Sequence, residues 1–294
     1  MVTVVDLVRE LLVRHLETWA PAALHRARRA TYAHGYADAG GGVLAEAALG
    51  VFTEQSDLVR GRELTMLAVG ADLSALAPRL TSTAAGLTVH TLSGGTPRQL
   101  PVGLAAAGAA RLPLLGFLDA ATATDLPGPD LLVALGAGKP AELLLTLPVT
   151  ASGYPQLLRT SGFPLVTAVE LVDDGGSHLL LFGTGLGKSL EAFKETLWAV
   201  DEFAGVRYRD PNDPEAHLID ISLQPHPGPL RRELLARLAA GPASVTELRT
   251  YALTETVYRA ADATRVLQAL VSSGAVRRDP EQGRLGGDVQ IARV

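Results

Sequence analysis

Between residues 31 and 147 short apolar runs alternate with stretches of helical periodicity, and the alternation breaks once, at Asp173-Asp-Gly-Gly176. Strands are predicted at Thr31–Ala37, Leu64–Val69, Leu87–Leu92, Leu112–Leu118 and Ala141–Leu147. Helices are predicted between them at Val43–Leu58, Leu73–Leu80, Val102–Ala110 and Asp130–Gly138. Strands that alternate with helices pair in parallel, so the pattern predicts a doubly wound, Rossmann-like sheet with helices on both faces. Pro164–Val172 and His178–Phe182 then follow with only the Asp173–Gly176 turn between them, which predicts a closing antiparallel hairpin.

Val2–Thr18 has helical spacing and reads as a leading helix that ends near Pro21. A further helix is expected at Gly187–Ala199, before the polar turn Arg209–Pro214. Gln224-Pro-His-Pro-Gly-Pro229 reads as a linker, because three prolines in six residues continue neither a helix nor a central strand. Beyond it come a helix at Leu230–Ala240, a capping box at Ser244-Val-Thr-Glu247 that opens a second, a third at Arg259–Ser272, and a wing from Gly274. This is a winged-helix rhythm, and it divides the chain into residues 1–223 and 224–294.

Composition narrows the chemistry. Without cysteine there are no disulfides, thiolate metal sites or cysteine nucleophiles. No apolar run reaches the ~20 residues of a membrane span. The N-terminus, with Asp6 and Glu10, lacks a signal-peptide pattern, so a cytoplasmic protein is expected. Residues 228–294 carry ten Arg and Lys against seven Asp and Glu, a +3 module on a body at −8. That imbalance fits either a solvated surface or an acidic or nucleic-acid partner.

A parallel doubly wound sheet that ends in an antiparallel hairpin is the pattern of class I methyltransferases, and three segments narrow the likeness. Tyr32-Ala-His-Gly-Tyr-Ala-Asp-Ala-Gly40 is similar to the opening strand and turn, Tyr-Val-Asp-Gly-Phe-Ala-Gly-x-Gly, of the three-Cys-motif partner protein (TcmP) family. Phe117-Leu-Asp119 is similar to that family's Phe-Ile-Asp. Leu180-Leu-Phe-Gly-Thr184, with Lys188 and Phe193-Lys-Glu-Thr-Leu-Trp198, is similar to its late strand and Met-Lys-x-x-Met-Trp helix. The ordered set resembles TcmP over nearly the whole chain.

The resemblance implies S-adenosylmethionine as cofactor, with Asp38, Gly40, Gly41 and Gly42 at its turn, Asp72 near its ribose and Asp119 beside the methyl acceptor. Several positions depart from the pattern. His34 stands where the family has its acidic residue, Asp38 where it has its first glycine, and Gly70 at the expected ribose-binding position. A register shift would make Asp38 the acidic residue of an Asp38–Gly42 turn, at the cost of about four residues of strand. Asp72 has a second reading, as the cap of the helix from Leu73. Pro-Phe-Gly is replaced by Ala120-Ala-Thr122.

Three functions follow from these matches and departures. The chain is a divergent methyltransferase, or a non-catalytic relative that binds a three-Cys-motif protein or forms a homodimer, or a winged-helix DNA-binding regulator using Arg259, Arg265, Arg277, Arg278 and Arg284. His34 and His90 are general-base candidates or hydrogen-bonded structural histidines. No histidine falls in a metal-binding spacing, so no metal site is expected. Gly183-Thr-Gly-Leu-Gly-Lys-Ser189 resembles a phosphate loop one residue too short, and also reads as a turn that opens a helix.

Overall fold

A computed structural model describes residues 3–55, 61–200 and 205–294. The first helix, α1 (Val4–Arg26), opens on a capping box: Asp6 N–H donates to the Thr3 hydroxyl, and Thr3 N–H donates to the Asp6 carboxylate. It continues past Pro21, contrary to the predicted end. Pro21 lacks the N–H that would reach the Glu17 carbonyl, and the Gln55 side chain donates to that carbonyl instead, at 3.2 Å. The helix therefore goes on to bury Ala23 and Leu24.

The strands follow in the predicted order, with one helix, α5, that the sequence pattern does not predict: β1 (Arg29–Gly35), a 3₁₀ turn (Ala39–Gly42), α2 (Val43–Glu54), β2 (Glu63–Gly70), β3 (Leu87–Ser93), α3 (Thr96–Ala106), β4 (Leu114–Asp119), α4 (Pro129–Gly136), β5 (Ala141–Pro148), α5 (Tyr154–Thr160), β6 (Leu165–Asp173), β7 (Gly176–Thr184) and α6 (Gly187–Ala199). Residues 56–58, the predicted end of α2, lie outside the described residues, as does Val2. Two boundaries are corrected. Leu73–Leu80 forms turns, because Pro78 interrupts the ladder between the Ala77-to-Leu73 and Leu80-to-Leu76 bonds. Helix α3 starts at Thr96, well before Val102: Gly94 and Gly95 turn the chain at positive φ, and Pro97 sits in the first turn, where its missing N–H costs nothing.

Strand order is β3-β2-β1-β4-β5-β7-β6, extended by two three-residue strands, β8 (Arg207–Arg209) and β9 (Leu218–Asp220). β1 to β5 are parallel; β7 runs antiparallel between β5 and β6, as the hairpin requires. Helices α1, α2 and α6 pack on one face and α3, α4 and α5 on the other, each over its own apolar cluster. The molecule is thus a mixed α/β fold around a large, mostly parallel sheet.

The C-terminal segment comprises α7 (Gly228–Ala239), β10 (Ala243–Ser244), α8 (Val245–Glu255), α9 (Ala260–Ser272), β11 (Val276–Asp279) and β12 (Gln290–Arg293). Its strands form a small antiparallel sheet of order β10-β12-β11. The Ser244–Glu247 capping box is present at the start of α8. The apolar side chains here, among them Leu234, Leu248, Val266 and Ile291, join the same buried cluster that covers the α1 face of the large sheet.

The junction is polar but fully buried. Lys194 on α6 donates to the carbonyls of Ala252, Thr256 and Tyr258 at 3.0, 2.5 and 2.9 Å. Burial pushes this ammonium down to about 7, against the pull of Asp210 and Glu233. Trp198 Nε1 donates to the Val257 carbonyl at 3.0 Å, and Val257 N–H donates to Asp210 at 2.9 Å. Among the described residues, no helix is long and apolar enough to cross a membrane.

Candidate functional site

Parallel α/β sheets bind ligands beyond the carboxyl ends of their strands, where the chain order reverses. Here that place lies beyond β1, flanked by β2 and β4. β1 ends at Gly35, and Asp38 lies in the turn after the strand, three residues beyond its end. Its carboxylate turns toward β2 and accepts the N–H groups of Ala71 and Asp72 at 3.0 and 3.1 Å. A Cβ on Gly70 would lie 2.8 Å from the Asp38 carboxyl carbon. Gly70, the position expected to hold a ribose-binding acid, is therefore a glycine because Asp38 occupies the space beside it.

The three glycines that follow divide by role. Gly40, Gly41 and Gly42 all have positive φ, at +56°, +75° and +88°. Gly42 is buried, and a Cβ there would lie 2.8 Å from Leu76 Cδ2, so packing demands this glycine. Gly40 and Gly41 are exposed, with no heavy atom within 4 Å of the place a Cβ would take. The Gly41 carbonyl is held by Arg79 Nη2 at 2.7 Å, and Arg79 also pairs with Glu46. Asp72 is an exposed residue whose carboxylate accepts the Ser74 N–H at 2.9 Å. That backbone bond holds its carboxyl below the usual range. Its second reading, a cap, is the geometry observed, although it caps a turn and not a helix.

His34 does not face this site. It is 1% exposed and stacks edge-on against Phe117, with ring centroids 4.9 Å apart. Its Nδ1 lies 2.9 Å from the Tyr32 hydroxyl. Burial pushes it down to about 3. A neutral imidazole enclosed in the core has no access to a substrate proton, so its general-base candidacy is corrected to the structural alternative. His90 is exposed on β3, an edge strand.

Asp119 ends β4 and accepts the Thr146 hydroxyl from β5 at 2.7 Å. Burial raises its pKa, and the Thr146 bond offsets part of that rise. The loop that follows is tied down by two tyrosines. Tyr36, at φ +56°, donates its hydroxyl to the Asp125 carbonyl at 2.7 Å, and Tyr154 donates to the Pro127 carbonyl at 2.9 Å. Thr96 links the strand ends, accepting from Tyr36 N–H at 2.6 Å and donating to the Val69 carbonyl at 3.1 Å. The structure thus brings Asp38, Gly40–Gly42 and Asp72 together on the β2 side and sets Asp119 on the β5 side. Tyr36 and Thr96 escaped the sequence reading; the Tyr-Ala dipeptide before Asp38 carries no periodic signal of its own.

Two other expectations meet the structure here. Arg259 is buried and forms ion pairs with Asp262 at 2.9 Å and Glu195 at 3.1 Å, so it does not face outward. Arg265 pairs with Asp262, and Arg278 donates to the carbonyls of Pro280 and Gly283 in the loop after β11. Asp213, Glu215 and His217 converge, with one ligand atom from each within 4.8 Å of the others. His217 Nδ1 lies 2.6 Å from Asp213 and its Nε2 3.1 Å from Glu215, and Arg232 also pairs with Glu215 at 3.1 Å. The Asp-x-Glu-x-His spacing was available in the sequence.

No family model and no curated protein matches this chain. Among solved structures it is similar to DszA carbon methyltransferase, at 14% identity over 61% of this chain and 54% of that one, with TM-score 0.42. It is also similar to human methyltransferase-like protein 13 in complex with SAH, at 19% identity over 64% and 88%, TM-score 0.39. A SAM dependent methyltransferase from Aquifex aeolicus matches at 11% identity over 58% and 93%, TM-score 0.30. The matched region spans about half the length of the DszA enzyme. The architecture itself rests on the strand order, read directly from the sheet.

Proposed function

We propose that this chain is a methyltransferase-like protein of the three-Cys-motif partner type whose S-adenosylmethionine site is closed by its own Asp38, and which acts by docking to a protein. The observation that carries this reading is the Asp38 carboxylate, whose Oδ2 accepts both the Ala71 and Asp72 N–H groups beside Gly70. A cofactor's ribose hydroxyls need an acidic acceptor at the end of β2. Here Gly70 stands at that place, and the Asp38 carboxylate beside it is turned to the backbone of the chain. His34 supplies no base, and Asp119 is engaged by Thr146.

In the C-terminal segment, taken as a winged helix over residues 224–294, the third helix supports protein docking over DNA binding, while the exposed Arg277 and Arg284 form no ion pair among the described residues and favour the DNA reading. The exposed positions of α9 are Ala261, Arg265, Gln268, Ala269 and Ser272. Their one cation is paired with Asp262. Phosphate backbones need several unpaired Arg or Lys side chains. On this reading the partner is a protein with the three-cysteine motif, and a homodimer is the competing assembly.

The test is calorimetry with S-adenosylmethionine and S-adenosylhomocysteine. The expected result is no heat up to millimolar ligand from protein shown to be folded by circular dichroism. Micromolar binding that Gly40→Val abolishes would overturn the closed site. It would support instead a divergent methyltransferase, which the open space around Gly40 and Gly41 favours. Asp38, Gly40, Gly41, Gly42 and Asp72 would then line the cofactor, with Asp119 beside the acceptor.

A further inference from the structure

β3 ends the sheet on the side away from β9, and among the described residues no strand pairs with its outer edge. Edge strands are kept from pairing with other chains by shortness, charge, proline or a bulge. β9 follows that rule, with three residues and an exposed Asp220. β3 does not. Its seven residues, Leu-Thr-Val-His-Thr-Leu-Ser, hold no Asp, Glu, Lys, Arg or Pro. They run beside β2 in unbroken register, over about 23 Å.

The bonds to β2 fix which backbone groups face outward. Leu64 N–H donates to the Gly86 carbonyl at 2.8 Å, and Gly94 N–H donates to the Gly70 carbonyl at 3.1 Å. In a parallel ladder each strand bonds to a given neighbour through alternate residues. Thr88, His90 and Leu92 therefore bond to β2, and Val89 and Thr91 turn their N–H and C=O groups to the open edge. Leu87 N–H is already taken by the Ala84 carbonyl at 3.1 Å. The side chains alternate too. Leu87 and Val89 join the apolar cluster on the α1 and α2 face, and Leu92 joins the cluster under α3. Thr88 and His90 share the face of Leu92 and are exposed.

A second copy of the chain meets these constraints. A two-fold axis normal to the sheet sets two β3 strands antiparallel, with residues of the same face opposite one another. The whole of β3 is paired when that axis passes between the two copies of His90. Val89 then lies opposite the partner's Thr91, and the outward N–H and C=O groups of each meet those of the other, as in the hydrogen-bonded position of an antiparallel ladder. Thr88 lies opposite the partner's Leu92. His90 faces the partner's His90 at a position without ladder bonds. An uncharged strand calls for an uncharged partner, and β3 itself supplies one.

We propose that the protein forms a two-fold homodimer by antiparallel pairing of β3 with β3 of a second copy, centred on His90. This pairing lies at the opposite edge of the sheet from β9 and leaves free the C-terminal segment, whose α8 packs against α6 and β6. It is independent of the closed cofactor site and compatible with a second protein docked on that segment.

The absence of cysteine allows a direct test. At a self-facing position without ladder bonds the Cα atoms lie about 4.5 Å apart, within disulfide reach. His90→Cys is expected to give a disulfide-linked dimer under oxidised glutathione, far faster than Ala105→Cys, a control exposed on α3. Sedimentation velocity of the unmodified chain should show a dimer at micromolar concentration. His90→Glu, which sets two carboxylates across the axis, should raise the dissociation constant about tenfold or more. Thr91→Pro should do the same, because it removes an outward N–H and no bond to β2. Circular dichroism checks that both variants are folded. The proposal is overturned if the unmodified chain is monomeric at high micromolar concentration, or if either folded variant leaves the dimer intact. It is equally overturned if His90→Cys cross-links no faster than Ala105→Cys. None of these outcomes bears on the calorimetry, which reads the cofactor site alone.

Discussion

The Asp38 carboxylate stands in the space a side chain on Gly70 would need, and each residue explains the other. Asp38 is present to receive the two N–H groups that β2 leaves open at its end, and Gly70 is present to admit it. Gly70→Ala is expected to destabilise the protein by about 1–3 kcal/mol through overpacking. Asp38→Ala should cost about 1 kcal/mol, as loss of a cap does. The two changes should be non-additive by at least about 0.5 kcal/mol, because removing the carboxylate relieves part of the clash. Urea unfolding of the four proteins measures this cycle.

The glycine turn should respond unevenly to alanine. Gly40→Ala meets no neighbour and bears only the left-handed backbone cost of about 1–2 kcal/mol. Gly42→Ala bears that cost and also displaces Leu76, so its midpoint for urea unfolding should fall below that of Gly40→Ala. Equal losses at the two positions would contradict the packing role of Gly42.

His34 makes the protein sensitive to acid. Its ordinary value is 6.5, and burial pushes it down to about 3 in the fold. Between those values the unfolded chain binds a proton that the fold refuses. Stability is therefore full above about pH 6.5 and falls toward pH 3, by up to about 1.4 kcal/mol per pH unit. His34→Gln keeps an acceptor for the Tyr32 hydroxyl and removes the titration. Its stability should decline less steeply over that range, as read from thermal midpoints measured at stepped pH.

Lys194→Met should be among the most damaging single changes in the chain. It takes the Lys194 donor from three buried carbonyls, of which Ala252 alone keeps another side-chain donor, the Thr256 hydroxyl. A loss of about 3 kcal/mol is expected. The matching readouts are a red shift of Trp198 emission and faster proteolytic cleavage around residues 224–229 under native conditions.

The sheet was legible because strand and helix periods differ and the Asp173–Gly176 turn is unambiguous. What the sequence hid was mostly tertiary compensation. Pro21 looks like a helix stop until Gln55 supplies the missing donor. β8 and β9 are too short, at three residues each, to show a period. The candidate cofactor residues lie near one another in the fold, yet their duties were not readable. An Asp before three glycines looks the same in a sequence whether its charge faces a ligand or two amides of its own chain. Arg259 is a similar case: counted as surface charge, it is sequestered because Asp262, one helical turn away, and Glu195 on α6 both reach it.

The three bonds of Lys194 also bear on how far the C-terminal segment can be treated as a movable part. A segment that travelled freely between proteins would carry its own closure. This one leaves the last turn of α8 and the approach to α9 to be closed by an ammonium rooted in another region of the chain. Transplanting residues 224–294 onto a foreign body would expose those carbonyls to whatever the new host offers, and the graft would take only where the host brings its own lysine.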